Sequence, residues 1–378
     1  MKNSQTNVCF RVDASFEIGS GHVMRCLALA KALRARGAKC LFICRAHPGH
    51  LFKMIKQHGF KVCELPAPAS TPRFNHADSI DQEVKLIHDS WLGCDWRTDA
   101  AQTGEILSTI QPEWLIIDHY ALAQPWEELL SPYFQKLMVI DDLSDRAHWC
   151  DLLLDQNLGR HYKDYFDLVP AKCQVLLGPE FALLRPEFAA LRAYSLGRRL
   201  KTSKLNQLLI SMGGVDMPNA TGRVLEALKD CPLPDACRIT VVMGVTACWH
   251  TRVRELSIQM PWPTKVLVNV PNMAKLMADS DLAIGGAGST SWERCCLGLP
   301  ALTVILSDNQ ISIASALESA NAAKTLGLHN ENQLSVILKK EVIRLINDEI
   351  SLKALSKAAA EVTDGSGINF VVDHILTK

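Results

Sequence analysis

Apolar and polar positions along this chain alternate between two regimes. Short apolar runs bounded by Gly, Pro or Asp are separated by stretches in which apolar residues return at helical spacing. The runs are "VCFRV", "KCLFICR", "WLIIDH", "KLMVIDD", "DLLLDQN" and "CQVLLG" in the first half, and "QLLISMG", "RITVVMG", "KVLVNV", "LAIGG" and "PALTVIL" in the second. Most are rich in β-branched residues and show no polar alternation, which predicts strands buried on both faces of a parallel sheet. The intervening patterns, such as Met24–Arg36, Ala220–Lys229 and Met273–Ala278, predict the crossover helices of βαβ units.

Between "CQVLLG" and "QLLISMG" lies "LRAYSLGRRLKTSKLN", Leu191–Asn206, which is basic, polar and without apolar periodicity. It reads as a linker. A length of 378 residues exceeds one ordinary domain. The expected fold is therefore α/β, with Rossmann-like domains over 1–195 and 203–378. Each half opens on a strand running into a glycine turn and a helix, "RVDASFEIGSGH" and "ISMGGVDMPNATG". A pair of parallel-sheet domains creates a cleft, and ligands of such sheets bind at the carboxyl ends of the strands. Pro66–Gln111 resists the pattern and reads as a surface excursion or a lid.

Charge narrows the function. Lys plus Arg total 40 and Asp plus Glu total 40, so there is no overall field to attract nucleic acid. No apolar run approaches the roughly 20 residues of a membrane span, and the first residues lack the apolar core of a signal peptide. The 13 cysteines are odd in number and scattered, without a CxxC pair, and Cys295 and Cys296 adjoin. They read as small hydrophobes of a reducing, cytoplasmic protein rather than a disulfide framework or a zinc site.

Chemistry concentrates in the glycine turns. In "GSGH", Gly19 and Gly21 let a ligand approach the backbone, and the helix that follows offers free N–H groups to an anion. His22 stands at that helix start, where the dipole favours the neutral imidazole that a general base needs. The alternative is a histidine that caps its own helix or stands exposed in a loop. "AIGGAGSTSWE" forms a second cradle, with Gly285, Gly286 and Gly288 in the loop and Ser289 and Thr290 placed to cap the next helix. Glu293 lies one turn on, where it could accept two ribose hydroxyls or close a capping box with Thr290. Gly213 and Gly214 make a third turn. Asp118, His119 and Tyr120 end one apolar run, "DDLSDR" holds three acids at Asp141, Asp142 and Asp145, and Asp308, Asn309 and Gln310 follow "TVILS". No HxH or ExxH spacing accompanies these acids, so no metal site is expected.

Taken in order, "FRVDASFEIGSGHVMRCLALA", "IIDHY", "IDDLSDR", "DQNLG", "LLGPEFALLRPEF", "SMGGVD", "GGAGSTSWERCCLGLP" and "DNQ" resemble the UDP-2,4-diacetamido-2,4,6-trideoxy-β-L-altropyranose hydrolases of pseudaminic acid biosynthesis, from about Phe10 to Asn321. More distantly, the three glycine turns resemble MurG-type glycosyltransferases, which implies a GT-B fold. The resemblance implies an inverting, metal-independent hydrolysis of a UDP-sugar at the anomeric carbon, without a cofactor. It further implies His22 as the base for water, with Tyr120 and Asn309 at the sugar. UDP would lie on the C-terminal domain, its phosphates at Gly285–Thr290 and its ribose at Glu293. Asp13, Gly19, Gly21, Arg25, Asp118, Gly213, Gly214 and Gln310 complete the substrate-binding set.

The partner expected is the UDP-sugar alone, with no nucleic acid, no membrane and a monomeric chain; the family context implies flagellin or surface-polysaccharide glycosylation. The rival readings are a glycosyltransferase of the same fold, a UDP-sugar 2-epimerase, and a nucleotide-sugar sensor that would not need His22.

Overall fold

A computed structural model of the chain describes residues 5–68, 86–201, 204–329 and 333–377. It divides into two compact units. The first comprises Met1–Gln156, Arg160–Gly178 and Asn369–Lys378, the second Asn157–Gly159 and Pro179–Ile368.

The first unit is built on β1 (Asn7–Val12), β2 (Lys39–Arg45), β3 (Lys61–Leu65), β4 (Trp114–Asp118), β5 (Lys136–Ile140), β6 (Leu152–Asp155) and β7 (Gln174–Leu177). They form one sheet in the order β3-β2-β1-β4-β5-β6-β7, every neighbour parallel. Helices α1 (Gly21–Ala35), α2 (Phe52–Gln57), α3 (Trp96–Ile110) and α4 (Gln124–Leu130) belong to it. β4 and β6 are buried at every residue, as an unbroken apolar run predicts for a covered parallel strand. The chain winds outward from β1 through β2 to β3, then returns to the other side of β1 as β4. The sheet's switch point, where α/β folds collect ligands, thus lies between β1 and β4, and Val12 pairs there with Asp118.

The second unit repeats the plan. It contains α5 (Pro186–Lys201), β8 (Gln207–Ser211), α6 (Ala220–Leu228), β9 (Arg238–Met243), α7 (His250–Ile258), β10 (Thr264–Val268), α8 (Met273–Asp279), β11 (Leu282–Gly286), α9 (Thr290–Cys296), β12 (Ala301–Ile305), α10 (Ile311–Ser319), β13 (Lys324–Leu328), α11 (Leu334–Asn347) and α12 (Glu349–Val362). The strand order is β10-β9-β8-β11-β12-β13, again all parallel, with its switch point between β8 and β11. Buried side chains fill both faces of this sheet, for example Ile210, Val224, Val241 and Leu338 on one side and Leu209, Ala283, Trp292 and Leu317 on the other. A last helix, α13 (Gly367–Leu376), closes the chain.

Three expectations need correction. Leu191–Lys201 is not a linker but the greater part of α5, and the main stretch of the second unit runs from Pro179 rather than 203. Its basic residues are spent on helix ends. Arg192 donates to Cys296 O, Ala360 O and Thr363 O, and Arg199 to Met277 O, Ser280 O and Leu297 O, satisfying carbonyls that α8, α9 and α12 leave unpaired. The last residues, Asn369–Lys378, count with the first unit and not with the domain expected over 203–378. Within Pro66–Gln111, residues 69–85 lie outside the described residues, and 96–110 is helix α3, not an excursion. Its Asp99 is fully buried and takes Arg11 Nη2 at 2.6 Å, Arg45 Nη2 at 2.7 Å and Trp126 Nε1 at 3.0 Å.

Candidate active site

In the first unit the chain leaves β1 at Val12 and turns before α1. Ser15 Oγ accepts from the N–H groups of Glu17 and Ile18 at 3.1 and 2.9 Å, and Gly19 N donates to Ser15 O at 2.9 Å. This tight turn needs Gly19 at φ +81°, a conformation that L side chains rarely adopt, and nothing lies within 4 Å of where a Cβ would stand. Helix α1 starts at Gly21, so His22 falls in its first turn and Arg25 on the same face, three residues on.

Both reach Asp118 at the end of β4. The His22 Nδ1 to Asp118 Oδ1 distance is 2.6 Å, and Arg25 donates through Nε to Oδ2 and through Nη2 to Oδ1, each at 2.6 Å. Arg25 Nη1 also donates to Asp142 Oδ2 at 2.7 Å, and Tyr120 OH to the same oxygen at 2.8 Å. A continuous path His22–Asp118–Arg25–Asp142–Tyr120 therefore closes around the edge-to-face contact of the His22 and Tyr120 rings, whose centroids are 4.7 Å apart. Burial alone would raise the Asp118 carboxyl, but Arg25 and then His22 hold it far below the usual range. Burial and the neighbouring Asp142 carboxylate push the Tyr120 phenol well up, so it is a neutral hydrogen-bond donor. With Nδ1 held by Asp118, His22 keeps Nε2 for other chemistry.

A 3₁₀ turn at Asp89–Leu92 brings aromatic rings onto this pair. Trp91 stacks on Tyr120 at 5.5 Å and 22°, and meets His22 edge-on at 6.5 Å. His88 lies 4.3 Å from Trp91 and 5.3 Å from Tyr120. The Trp91 indole donates to Glu17 Oε1 at 3.1 Å, tying the rings to the glycine turn.

In the second unit β11 ends at Gly286 and α9 begins at Thr290. Gly285 has no room for a side chain, since a Cβ would sit 2.6 Å from both Arg294 Nη1 and Ser211 O. Buried Arg294 reaches back from α9 and donates through Nη2 to Gly286 O at 2.8 Å and Ser291 Oγ at 2.9 Å. Burial lowers it to about 10. Gln310 Oε1 accepts from Ala287 N and Leu306 N, both at 3.2 Å, and Gln310 Nε2 stands 3.6 Å from a Cβ built at Gly288. The loop is thus clamped from both sides, and the N–H groups from Gly288 to Thr290 open the helix.

Neither the side-chain cap expected of Ser289 nor a capping box at Glu293 forms. Glu293 instead faces Arg185 Nη2 at 3.4 Å. Burial raises its carboxyl, with Arg185 offsetting part of that. Gly213, at φ +86°, has open space around it, whereas Gly214 packs its carbonyl against Gly244 and accepts from Thr246 Oγ1 at 3.2 Å. Asn309 accepts from Ser307 Oγ at 2.5 Å in the short helix that follows β12.

The first unit thus assembles His22, Arg25, Asp118 and Tyr120 beside Gly19 and Gly21. The second assembles Gly285, Gly286, Gly288, Ser289, Thr290, Glu293 and Gln310. Asp13, expected to contact substrate, is committed elsewhere. Its Oδ1 accepts Arg45 N at 2.6 Å, while Oδ2 faces Arg11 Nη1 at 2.8 Å, His119 Nε2 at 3.4 Å and His47 Nε2 at 3.6 Å. Sequence reasoning missed Asp142 as a member of the cluster, and it missed Arg185, Arg294, His88 and Trp91 altogether. The signals available were the "RPEF" arginine before α5 and the tryptophan of "WLG" in the unassigned segment.

Comparison with known proteins agrees with this architecture. Residues 250–368 match the model of the glycosyltransferase family 28 C-terminal domain. The chain is 27% identical over 82% of its length to the UDP-2,4-diacetamido-2,4,6-trideoxy-beta-L-altropyranose hydrolase of Campylobacter jejuni, covering 95% of that protein. It is also 27% identical over 79% of its length to an uncharacterized protein of Methanocaldococcus jannaschii, of which it spans 55%. Among solved structures, MurG of Acinetobacter baumannii superposes with a TM-score of 0.69 at 17% identity, over 99% of this chain and 100% of that one. The fold is the two-domain α/β fold of the GT-B type. Among the described residues no helix is long and apolar enough to cross a membrane.

Proposed function

We propose that this protein is an enzyme that hydrolyses UDP-2,4-diacetamido-2,4,6-trideoxy-β-L-altropyranose at the anomeric carbon with inversion, a step of pseudaminic acid biosynthesis. The observation that carries the reading is His22 held through Nδ1 by the buried Asp118 carboxylate, which Arg25 fixes in turn. His22 Nε2 takes a proton from water as the water oxygen bonds to the anomeric carbon. The bond from that carbon to the diphosphate breaks, and UDP departs with the electron pair as an anion that needs no strong acid. Tyr120 and Asn309 attend the sugar, Arg25 and Asp118 position His22, and the glycine turn Gly285–Thr290 with Gly213 receives the diphosphate, with Glu293 at the ribose. The scattered spacing of the thirteen cysteines, without a CxxC pair, suits a reducing cytoplasm as its place of work.

A MurG-like glycosyl transfer, with an acceptor hydroxyl in place of water, is the second reading, favoured by the family 28 match. The test is UDP release from the altropyranose nucleotide in chelator-treated buffer, beside His22→Ala. Release by the wild type with free 2,4-diacetamido-2,4,6-trideoxy-L-altrose as co-product, lost in the variant, is the expected result. Tight UDP binding without release would transfer the assignment to glycosyl transfer, and undiminished release by His22→Ala would remove the histidine from the mechanism.

A further inference from the structure

We propose that Trp91, seated on the Tyr120 ring and backed by His88, is a specificity-determining residue that selects the apolar methyl groups of a deoxy, N-acylated sugar over a fully hydroxylated one. This rests on the reading of the protein as a UDP-sugar hydrolase and adds a determinant to it. Three observations carry it.

First, the polar atoms around His22 are already paired with one another. Tyr120 OH is given to Asp142, Arg25 to Asp118 and Asp142, His22 Nδ1 to Asp118, and Trp91 Nε1 to Glu17. A sugar arriving here meets rings and few unengaged hydrogen-bonding groups, so each ring hydroxyl it brought would exchange water for no partner. A methyl group carries no such cost.

Second, the apolar surface is fixed to the turn that bears the histidine. The Trp91 indole is anchored on Glu17, and the neighbouring Phe16 is 40% exposed on the same Ser15–Gly19 turn. Beside them, Gly19 leaves open space where any other residue would place a Cβ. Third, the rings form a mutually supported stack rather than a single exposed side chain, since His88, Trp91, Tyr120 and His22 are all in ring contact. Burial lowers the His88 imidazole, which keeps this surface uncharged at neutral pH. Pockets of this kind, mostly aromatic with a few oriented polar groups, read shape and apolar contact.

The experiment compares wild type, Trp91→Ala and Trp91→Phe on two nucleotide sugars, a UDP-2-acetamido-2,6-dideoxyhexose and UDP-N-acetylglucosamine. UDP affinity and circular dichroism serve as fold controls. The wild type should prefer the 6-deoxy sugar in kcat/KM. Trp91→Ala should lose about 10-fold of that preference, the worth of a methyl contact, mainly through KM. Trp91→Phe should regain most of it, and UDP affinity should stay unchanged in both. Saturation-transfer NMR of the bound UDP-sugars, recorded at low temperature before hydrolysis consumes them, reads the same contact directly. The acetamido and C6 methyl protons should receive the strongest saturation in the wild type and lose it in Trp91→Ala. Equal preference in all three proteins, or methyl saturation that persists in Trp91→Ala, would overturn the inference. A wild type that binds the sugars but hydrolyses neither would overturn the hydrolase reading while the NMR comparison still decides the role of Trp91.

Discussion

Replacing Asp118 by Asn separates the catalytic part of the His22 cluster from its structural part. The carboxylate is fully buried and accepts three hydrogen bonds at 2.6 Å, two from Arg25 and one from His22. An amide can accept on one side only, and its NH2 group then points at a donor. Removing one partner of a buried ion pair costs about 3–5 kcal/mol. Arg25 keeps Asp142 at 2.7 Å, which places the loss near 3 kcal/mol. For a unit of this size that is a fall of roughly 6–12 °C in the melting of the first unit. The rate should fall further than stability explains. A general base that is no longer oriented forfeits on the order of 10²-fold of its contribution.

The control is Asp99→Asn. That carboxylate is equally buried in the same unit and paired with Arg11 and Arg45, but makes no bond to His22, Arg25 or Asp118. UDP release measured at 25 °C, well below both transitions, should drop about 100-fold in Asp118→Asn and stay within about threefold of wild type in Asp99→Asn. If both variants lose stability but Asp118→Asn keeps its rate, the Nδ1 contact has no catalytic role. If both lose rate alike, the loss reports the integrity of the unit and not the orientation of an imidazole.

Gly285→Ala should destabilise the second unit by about 1–3 kcal/mol in denaturant titration and weaken UDP binding, because its methyl meets Arg294 and the Ser211 carbonyl at 2.6 Å; a wild-type midpoint would show that the arginine clamp yields freely. Acid should loosen the first unit before pH 3. Asp13, Asp99, Asp118 and Asp141 are all held below the ordinary carboxylate range, so their stabilisation is complete above the unfolded value near 3.9 and is lost as pH falls toward the folded values. Hydrogen exchange of β1 and β4 amides from pH 5 to 2, corrected for the intrinsic exchange rate, reads this, and protection that stays flat to pH 2 would contradict it. Glu293→Gln has the opposite sign. A carboxyl raised in the fold costs stability above its unfolded value, so the neutral amide should leave the melting temperature unchanged or higher while UDP affinity falls about 10-fold with the loss of a charged hydrogen bond to ribose. A lower melting temperature would mean that the Arg185 pair outweighs the burial.

How much of this was legible in the sequence follows from which forces are local. Interior strands announce themselves because a strand covered on both faces is apolar along most of its length, and β11 reads that way throughout, as do β1, β4 and β8 apart from Asn7, Arg11, Asp118, Gln207 and Ser211. β3 and β13 escaped because each is the edge of its sheet and half exposed, so "KVCEL" and "KTLGL" carry polar residues that break the run. α5 was mistaken for a linker because its arginines read as solvated charge, when Arg192 and Arg199 in fact cap helices lying about 80 to 170 residues further along the chain. The glycine turns were visible because backbone geometry restricts them residue by residue. Their partners were not: His22 meets Asp118 across 96 residues and Arg25 meets Asp142 across 117, and no local periodicity records such a pairing.

The two units solve one problem in two ways, and the difference bears on the chemistry. Each carries an arginine in the helix that follows its glycine turn, and each sends it back to the sheet's switch point. Arg25 finds carboxylates, Asp118 and Asp142, so the first unit sets its arginine and two acids beside an imidazole. Arg294 finds a carbonyl and a hydroxyl, Gly286 O and Ser291 Oγ, so the second unit fixes its turn with uncharged acceptors and leaves the N–H groups at the start of α9 facing no carboxylate of the clamp. Buried carboxylates suit a sugar carbon that gains positive character. A turn of oriented N–H groups suits a departing diphosphate. Exchanging the devices would defeat the second, since a carboxylate beneath the anion turn would repel the diphosphate. Introducing a carboxylate at Ser291, within reach of Arg294, should therefore weaken UDP binding more than it disturbs the fold, and tight binding by Ser291→Asp would argue that the diphosphate is held elsewhere.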